Sequence, residues 1–162
     1  MNCERRARQG IRLSHPRHLL ACGFASGLAS RAPGTWGTLV AVPIYAAMVN
    51  LPVLAYVAVV GVMLVAGVWI CGATARDLGV HDHSGIVWDE IVGYLVTMIL
   101  APPGWEWWLV GFVMFRFFDI AKPWPIRLVD EHVGGGWGIM LDDVLAGVFA
   151  CLTLQLLALM LI

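Results

Sequence analysis

The sequence predicts an all-α integral membrane protein, a compact bundle of about four to five transmembrane or half-inserted helices with polar cytoplasmic loops. Hydrophobic residues make up 60% of the chain and charged residues only 13%, and the mean hydropathy is +0.81. The hydrophobic share and the hydropathy are higher, and the charged share is lower, than soluble domains usually have. Residues 36–73 contain no charge at all. A chain of 162 residues has room for one such bundle, so we divide it into a basic cytoplasmic N-terminal segment, 1–17, and a single membrane-embedded domain, 18–162.

The first predicted element is a helical hairpin, because the uncharged stretch is too long for one span of roughly 20 residues. The sequence Asn50-Leu51-Pro52 favours a turn, since proline disfavours a helical residue before it. The predicted arms are residues 37–49 and 53–73. Because the first arm is short and contains Pro43, we expect it to be kinked or tilted, or to extend backwards through residues 19–30 as a half-inserted segment.

A second hairpin is predicted over residues 86–100 and 107–118, and a last span over residues 144–162. The connection "APPGWE", 101–106, contains the proline and glycine that stop helices and a tryptophan suited to a membrane interface. The middle spans are short at their charged ends. This indicates that those ends lie in protein or in a water-filled cavity.

Alternating spans place residues 1–35, 74–90 and 119–143 on one side of the membrane. All ten basic residues fall on or at the edge of that side, namely Arg5, Arg6, Arg8, Arg12, Arg17, Arg31, Arg76, Arg116, Lys122 and Arg127. The positive-inside rule makes this side cytoplasmic. Ten of the eleven carboxylates are there too, Glu106 being the exception. The sequence therefore predicts a polar apparatus at one membrane face.

Residues 81–90, "HDHSGIVWDE", are the first polar motif of this apparatus. Asp89 and Glu90 begin a predicted membrane helix, where single acids often only complement the helix dipole. Two adjacent acids at membrane depth favour a functional site, since intramembrane carboxylates are costly unless they are paired or metal-bound. His81 and His83 are either catalytic residues or ordinary loop residues.

Residues 115–127, "FRFFDIAKPWPIR", are the second motif. Arg116, Asp119 and Lys122 follow i, i+3, i+6 spacing along one helix face, and Pro123 ends the helix. An ion pair with basic side chains reaching the lipid headgroups would explain the cations. A phosphate site beside a metal would use both signs of charge.

Residues 134–143, "GGGWGIMLDD", are the third motif. The glycines suit either a flexible loop or a backbone cradle for phosphate, and Asp142 and Asp143 then open the last span. With Asp89, Glu90 and Asp119 they give five carboxylates at similar depth on three helices. Mg²⁺ would accommodate them, whereas their mutual repulsion is otherwise unfavourable. The residues therefore predict Mg²⁺-dependent phosphate ester chemistry at the lipid interface.

Other classes of protein are less compatible with this pattern. There is no nucleotide-binding P-loop, and four scattered cysteines without a C-x-x-C pair indicate neither a disulfide framework nor a zinc site. The alternative is a membrane ion or proton carrier that uses its intramembrane carboxylates. Polar groups concentrated at one face argue against it, because a transport pathway needs them through the midplane.

Four motifs, "APGTWGT" at 32–38, "HDHSGIVWDE", "FRFFDIAKPWPIR" and "GGWGIMLDD", resemble the phosphatidylglycerophosphatase A family in order and spacing, over roughly residues 16–147. The resemblance implies a lipid phosphatase of the bacterial inner membrane. It would hydrolyse phosphatidylglycerophosphate to phosphatidylglycerol and phosphate with Mg²⁺, in phospholipid biosynthesis. Its partners would be that lipid and the bilayer, with no nucleic acid and no obligate protein partner.

The same resemblance implies roles for individual residues. Metal binding or water activation would fall to Asp89, Glu90, Asp119, Asp142 and Asp143, with Asp89 and Asp143 directly catalytic. Phosphate would be held by Arg116, Lys122 and Arg127. Thr35 would add a hydroxyl to phosphate or metal, or serve as a plain helix cap. Either water attacks phosphorus while His81 or His83 protonates the leaving oxygen, or a covalent phosphoenzyme forms.

Overall fold

The computed structural model describes residues 10–80 and 83–161, and these residues form seven α-helices, one short 3₁₀ turn and no strand. The helices are α1 Pro16–Ala21, α2 Pro33–Met48, α3 Val53–Leu78, α4 Trp88–Thr97, α5 Trp105–Ala121, α6 Ile126–His132 and α7 Gly135–Leu161, with the 3₁₀ turn at Ser26–Leu28. The predicted all-α class is confirmed.

Two helices, α3 and α7, are long and apolar enough to cross a membrane. With 26 and 27 residues they measure about 40 Å, against a hydrocarbon core of roughly 30 Å. α2 and α5, with 16 and 17 residues, measure about 25 Å. The finding supports a membrane protein, and the number of four to five membrane segments stays a prediction.

The first hairpin turns between Met48 and Val53, as the Asn50-Leu51-Pro52 sequence predicts. α2 begins at Pro33, earlier than residue 37, and continues through Pro43. The proposed backward extension of this helix through residues 19–30 is wrong. Positive φ angles at Phe24, Ala25 and Ala32 break the chain there into the separate α1 and the 3₁₀ turn.

The span predicted over residues 86–100 is also wrong in length, because α4 has only ten residues and measures about 15 Å. Eight of the ten are buried, so this helix lies inside the protein, packed against α2, α3, α5 and α7. Side chains of other helices bond the carbonyls near its end: Tyr56 donates to Leu95 (2.7 Å) and Gln155 to Leu100 (2.8 Å). The bond to Leu95 is buried and the bond to Leu100 is exposed, and both supply donors to carbonyls near the place where the helix ends.

The last helix begins at Gly135 rather than at residue 144, so Asp142 and Asp143 lie in its third turn and do not open it. Gly135, Gly136 and Gly138 are accordingly helical rather than part of a flexible loop, and the phosphate cradle stays a prediction. A side chain at Gly136 would collide with the Val68 carbonyl of α3, so the glycine permits α7 to pack closely on that helix. α5 ends at Ala121, just before Pro123, as predicted.

Charged contacts among the described residues gather at one end of the bundle, around the C-terminal end of α3 and the segments from α4 to α7. The opposite end carries the turn around Leu51 and the segment from Met98 to Ala101, which together line a cavity of about 250 Å³. The two turns that the sequence assigns to the opposite side of the membrane therefore do lie together.

Candidate active site

Three carboxylates meet at the charged end of the bundle. Asp89 and Glu90 lie in the first turn of α4 and Asp143 lies in the third turn of α7, and one oxygen from each lies within 4.8 Å of the others. One helical turn deeper, a Cβ at Gly147 would collide with the Gly93 carbonyl. The two helices can approach closely because both residues are glycines, and this approach brings the acids together.

The burial of this cluster requires a compensating charge. The Asp143 residue is only 4% exposed, and the Glu90 side chain is 15% exposed with its Oε2 atom buried and without a hydrogen-bond partner in the described chain. Several carboxylate oxygens in a small, mostly dry space repel one another unless a cation lies between them. Oxygen ligands are those that Mg²⁺ prefers, so this donor set fits the metal that the sequence predicts.

Arg116 lies beside the three carboxylates. Its Nη1 atom is 2.6 Å from Asp119 Oδ2, in the i, i+3 pair that the spacing predicts, and 3.9 Å from Glu90 Oε1. Asp119 in turn interacts directly with Asp143. The Arg116 Nε atom is buried and donates no hydrogen bond within the described residues. A guanidinium with a spare donor next to clustered acids is suited to bind a phosphate oxygen.

The N-terminus of α2 closes the site through Gly34. A Cβ at this position would collide with Glu90 Oε1 and would lie 3.0 Å from Arg116 Nη1, so only glycine leaves room for these two side chains. Thr35 follows in the first turn of α2. The cap residue of α2 is Ala32, so the suggestion that Thr35 is a plain helix cap is wrong.

Lys122 and Asp142 form a different group. Lys122 Nζ lies 2.7 Å from Asp142 Oδ2 and 2.7 Å from Asp130 Oδ1. Burial lowers the pKa of Lys122, but the hydrogen bonds to the two carboxylates outweigh it and raise that pKa above its ordinary value. Adjacent residues on a helix point about 100° apart, so Asp142 turns to Lys122 while Asp143 turns to the carboxylate cluster.

The structure places the remaining predicted residues as follows. Arg127 lies on α6 with its side chain 74% exposed, and it pairs with Glu131 at 2.7 Å rather than with one of the five acids. His83 is buried, and its Nδ1 atom accepts a hydrogen bond from the Gly85 amide (2.9 Å). His81 lies outside the described residues.

Two residues of this region, Gly34 and Asp130, were not predicted from the sequence. Gly34 is inside the "APGTWGT" motif, but a glycine shows its purpose only when its neighbours in space are known. Asp130 resembles an ordinary polar residue of a surface helix, and no spacing rule links it to Lys122, eight residues earlier. The "APGTWGT" motif was therefore the only feature of the sequence that could have indicated Gly34. No feature of the sequence indicated Asp130.

Comparisons with known proteins identify the family to which the chain is similar. The profile of the family described as phosphatidylglycerophosphatase A matches residues 19–158. A phosphatidylglycerophosphatase A of Escherichia coli K12 is 48% identical over 145 residues, 89% of this chain and 84% of that protein. The protein of the same name from Haemophilus influenzae is 46% identical over 142 residues, 86% of this chain and 87% of its own length.

A third relative, from Bacteroides thetaiotaomicron, is named provisionally as a phosphatidylinositol-3-phosphatase. It is 39% identical over 140 residues, 82% of this chain and 87% of its own. No solved structure matches the chain significantly.

Proposed function

The chain belongs to the phosphatidylglycerophosphatase A family and is a phosphatidylglycerophosphatase, and we propose that it hydrolyses its substrate with Mg²⁺ at the cluster of Asp89, Glu90 and Asp143. The observation that carries this proposal is the approach of one oxygen from each of the three carboxylates to within 4.8 Å of the others. Such a cluster is unfavourable in a mostly buried place without a cation.

The reaction breaks the bond between phosphorus and the terminal glycerol oxygen of phosphatidylglycerophosphate, and a water oxygen forms the new bond to phosphorus. The products are phosphatidylglycerol and inorganic phosphate. Bound Mg²⁺ would supply Lewis acidity, neutralising charge on the phosphate and lowering the pKa of water. Asp89, Glu90 and Asp143 would hold the metal.

Other residues of the chain bind and orient the phosphate. Arg116 donates to a phosphate oxygen from Nε, and Asp119 fixes the guanidinium through the 2.6 Å ion pair. Gly34 keeps α2 from obstructing Glu90 and Arg116, and Thr35, the next residue in the first turn of α2, would offer its hydroxyl to phosphate or metal. Lys122 and Asp142 support the site by joining α5 to α7.

The leaving glycerol oxygen needs a proton, for which His81 and His83 are the candidate donors. Replacing each with Asn tests this assignment. In His83→Asn the amide oxygen can still accept from the Gly85 amide, so the surrounding backbone keeps its bond while the Nε2 atom is lost. A loss of kcat of about a hundredfold or more in one of the two variants would identify the donor. Full activity in both would exclude histidine as the acid.

We place the site at the cytoplasmic face of the bacterial inner membrane. The support is the distribution of all ten Lys and Arg residues along the sequence, because cytoplasmic segments carry the excess of these residues. A cysteine introduced at the exposed Glu131 tests this topology. An impermeant maleimide should label it in inverted vesicles and not in intact spheroplasts, and the reverse pattern would overturn the assignment.

Phosphate release from phosphatidylglycerophosphate in detergent micelles tests the proposed site. The purified protein should release phosphate with Mg²⁺ and stop when the metal is chelated. Asp89→Asn should lose the activity while keeping the melting behaviour of a folded protein. Phosphatidylinositol 3-phosphate, the substrate named for the Bacteroides relative, serves as the comparison lipid. Undiminished release in the presence of a chelator would refute the metal proposal.

A further inference from the structure

We propose that an apolar groove between α2 and α5 binds one acyl chain of the lipid substrate and so aligns the lipid with the carboxylate cluster. This inference rests on the function proposed above and adds the binding site for the apolar part of the substrate. The groove has a volume of about 350 Å³ and is lined by Leu39, Val42, Trp105, Trp108, Leu109 and Phe112.

The groove lies on the two helices that border the candidate active site, and on α5 its lining shares a helix face with Arg116, whereas on α2 Leu39 lies about 140° around the helix from Gly34. On α2, Leu39 follows Gly34 by five residues, about 7 Å along the helix. On α5, Phe112 precedes Arg116 by four residues, about 6 Å. Gly34 and Arg116 are the residues that contact Glu90. The same two helices therefore carry an anion-binding end and an apolar groove that begins about one to two turns deeper.

The walls of the groove are held by buried aromatic residues. The rings of Tyr45 and Trp108 meet edge to face with centroids 5.4 Å apart. Tyr94 donates a hydrogen bond to the Trp108 carbonyl (3.1 Å), and its ring lies 6.4 Å from that of Phe112. Such contacts fix side chains in place, so the groove exists before a ligand arrives and is not an accident of mobile surface residues.

The size and surroundings of the groove indicate which molecule occupies it. Its volume is at the low end of the range for ligand sites, roughly 300–1,000 Å³. Its lining offers apolar side chains, Arg116 lies beyond one end, and the carboxylate of Glu106 is next to Trp105 at the other. A molecule with an anionic head and a hydrocarbon tail matches the Arg116 end and the apolar lining, and the proposed substrate has that form.

A kinetic comparison of two substrates tests the inference. The first is phosphatidylglycerophosphate with two palmitoyl chains and the second is the same lipid with two butanoyl chains, both in detergent micelles with Mg²⁺. The variant Leu39→Trp/Leu109→Trp fills the groove from both walls. The matched control is Leu152→Trp/Leu156→Trp on α7, where both leucines are exposed to a similar extent, 58% and 57%, and lie outside the groove.

The groove variant should raise KM for the palmitoyl lipid about tenfold, which corresponds to the displacement of about two buried methylenes. Its kcat, and its KM for the butanoyl lipid, should change less than about twofold, and the control should match the wild type. If the double variant melts early, Leu109→Trp alone should give a smaller effect of the same kind. Equal changes for both lipids, or none, would overturn the groove assignment. Failure of the wild type to cleave either lipid would instead refute the proposed function.

Discussion

Asp142 and Asp143 are adjacent in the chain yet belong to two groups with very different charge balance. Asp143 meets Asp89 and Glu90, with Asp119 nearby, and the guanidinium of Arg116 is the cation recorded among them. Asp142 and Asp130 share the ammonium of Lys122 at 2.7 Å each. The first group has four carboxylates to one cation and the second has two carboxylates to one cation, so the excess of negative charge is larger in the first.

This difference separates a ligand site from a structural link. In the Lys122 group the ammonium bonds one oxygen of each carboxylate and so joins the end of α5 to α6 and α7, and only Asp142 Oδ1 is buried without a partner among the described residues. A buried group with surplus carboxylates is unfavourable in its ionised form unless an additional cation lies among them. The direction of each side chain on α7, rather than its position in the sequence motif, therefore decides which aspartate belongs to the chemistry.

The largest expected difference between the groups is in catalysis. Asp143→Asn should lower kcat about a thousandfold, the upper range for loss of one electrostatic contact to the transition state. Asp142→Asn removes a negative charge of the same type from the neighbouring residue and should cost less than about tenfold. Phosphate release under saturating Mg²⁺ and lipid measures both. Equal losses in the two variants would show that both aspartates serve one site.

Next in size is the effect of a methyl group at Gly34. Gly34→Ala should lower kcat/KM about a hundredfold, because the new Cβ displaces Glu90 and Arg116, and displacements of about 1 Å have effects of that size. Gly61→Ala is the matched control, since a Cβ there has no neighbour within 4 Å. It should keep full activity. A fully active Gly34→Ala variant would mean that α2 does not confine the site.

A smaller effect is expected from removing Lys122, the cation that Asp130 and Asp142 share. Lys122→Met leaves Asp130 and Asp142 without their shared ammonium and should destabilise the protein by about 1 kcal/mol, since the lysine is partly exposed. Activity should fall less than tenfold. Adding Asp142→Asn to Lys122→Met should reverse part of the decrease in melting temperature, because it removes one of the two carboxylates that lost their partner. A thousandfold loss of kcat with an unchanged melting temperature would place Lys122 on the phosphate instead.

The smallest effect is expected at Arg127, whose exposed ion pair with Glu131 is screened by solvent and contributes little to stability. Arg127→Ala should leave KM and kcat within about twofold of the wild type. Matched assays of Arg127→Ala and Arg116→Ala at several lipid concentrations would compare the two arginines directly. A strong rise of KM in Arg127→Ala would show that Arg127 binds the phosphate, as the sequence predicts.

Much of this arrangement follows from local rules. Asn50 and Pro52 mark the hairpin turn, Pro123 ends α5, and Asp89 and Glu90 fall in the first turn of a buried helix, because turn and helix-stop preferences depend on a few neighbouring residues. The pairing of Arg116 with Asp119 likewise follows from spacing on one helix.

The rest depends on contacts between distant parts of the chain. The start of α7 at Gly135 requires the surface of α3 near Val68, against which Gly136 packs, while glycines in a sequence normally indicate a break. The short length of α4 depends on donors from Tyr56 and Gln155. The separation of Asp142 from Asp143 depends on where Lys122 lies at the end of α5.

The most direct test of the central claim is the binding of Mg²⁺ itself, measured by its effect on the melting temperature in the absence of substrate. Mg²⁺ should raise the melting temperature of the wild type and of Asp142→Asn, and should no longer raise that of Asp143→Asn, because a ligand stabilises only a protein whose native state binds it. If Mg²⁺ stabilises Asp143→Asn as strongly as the wild type, the three-carboxylate cluster is not the metal site.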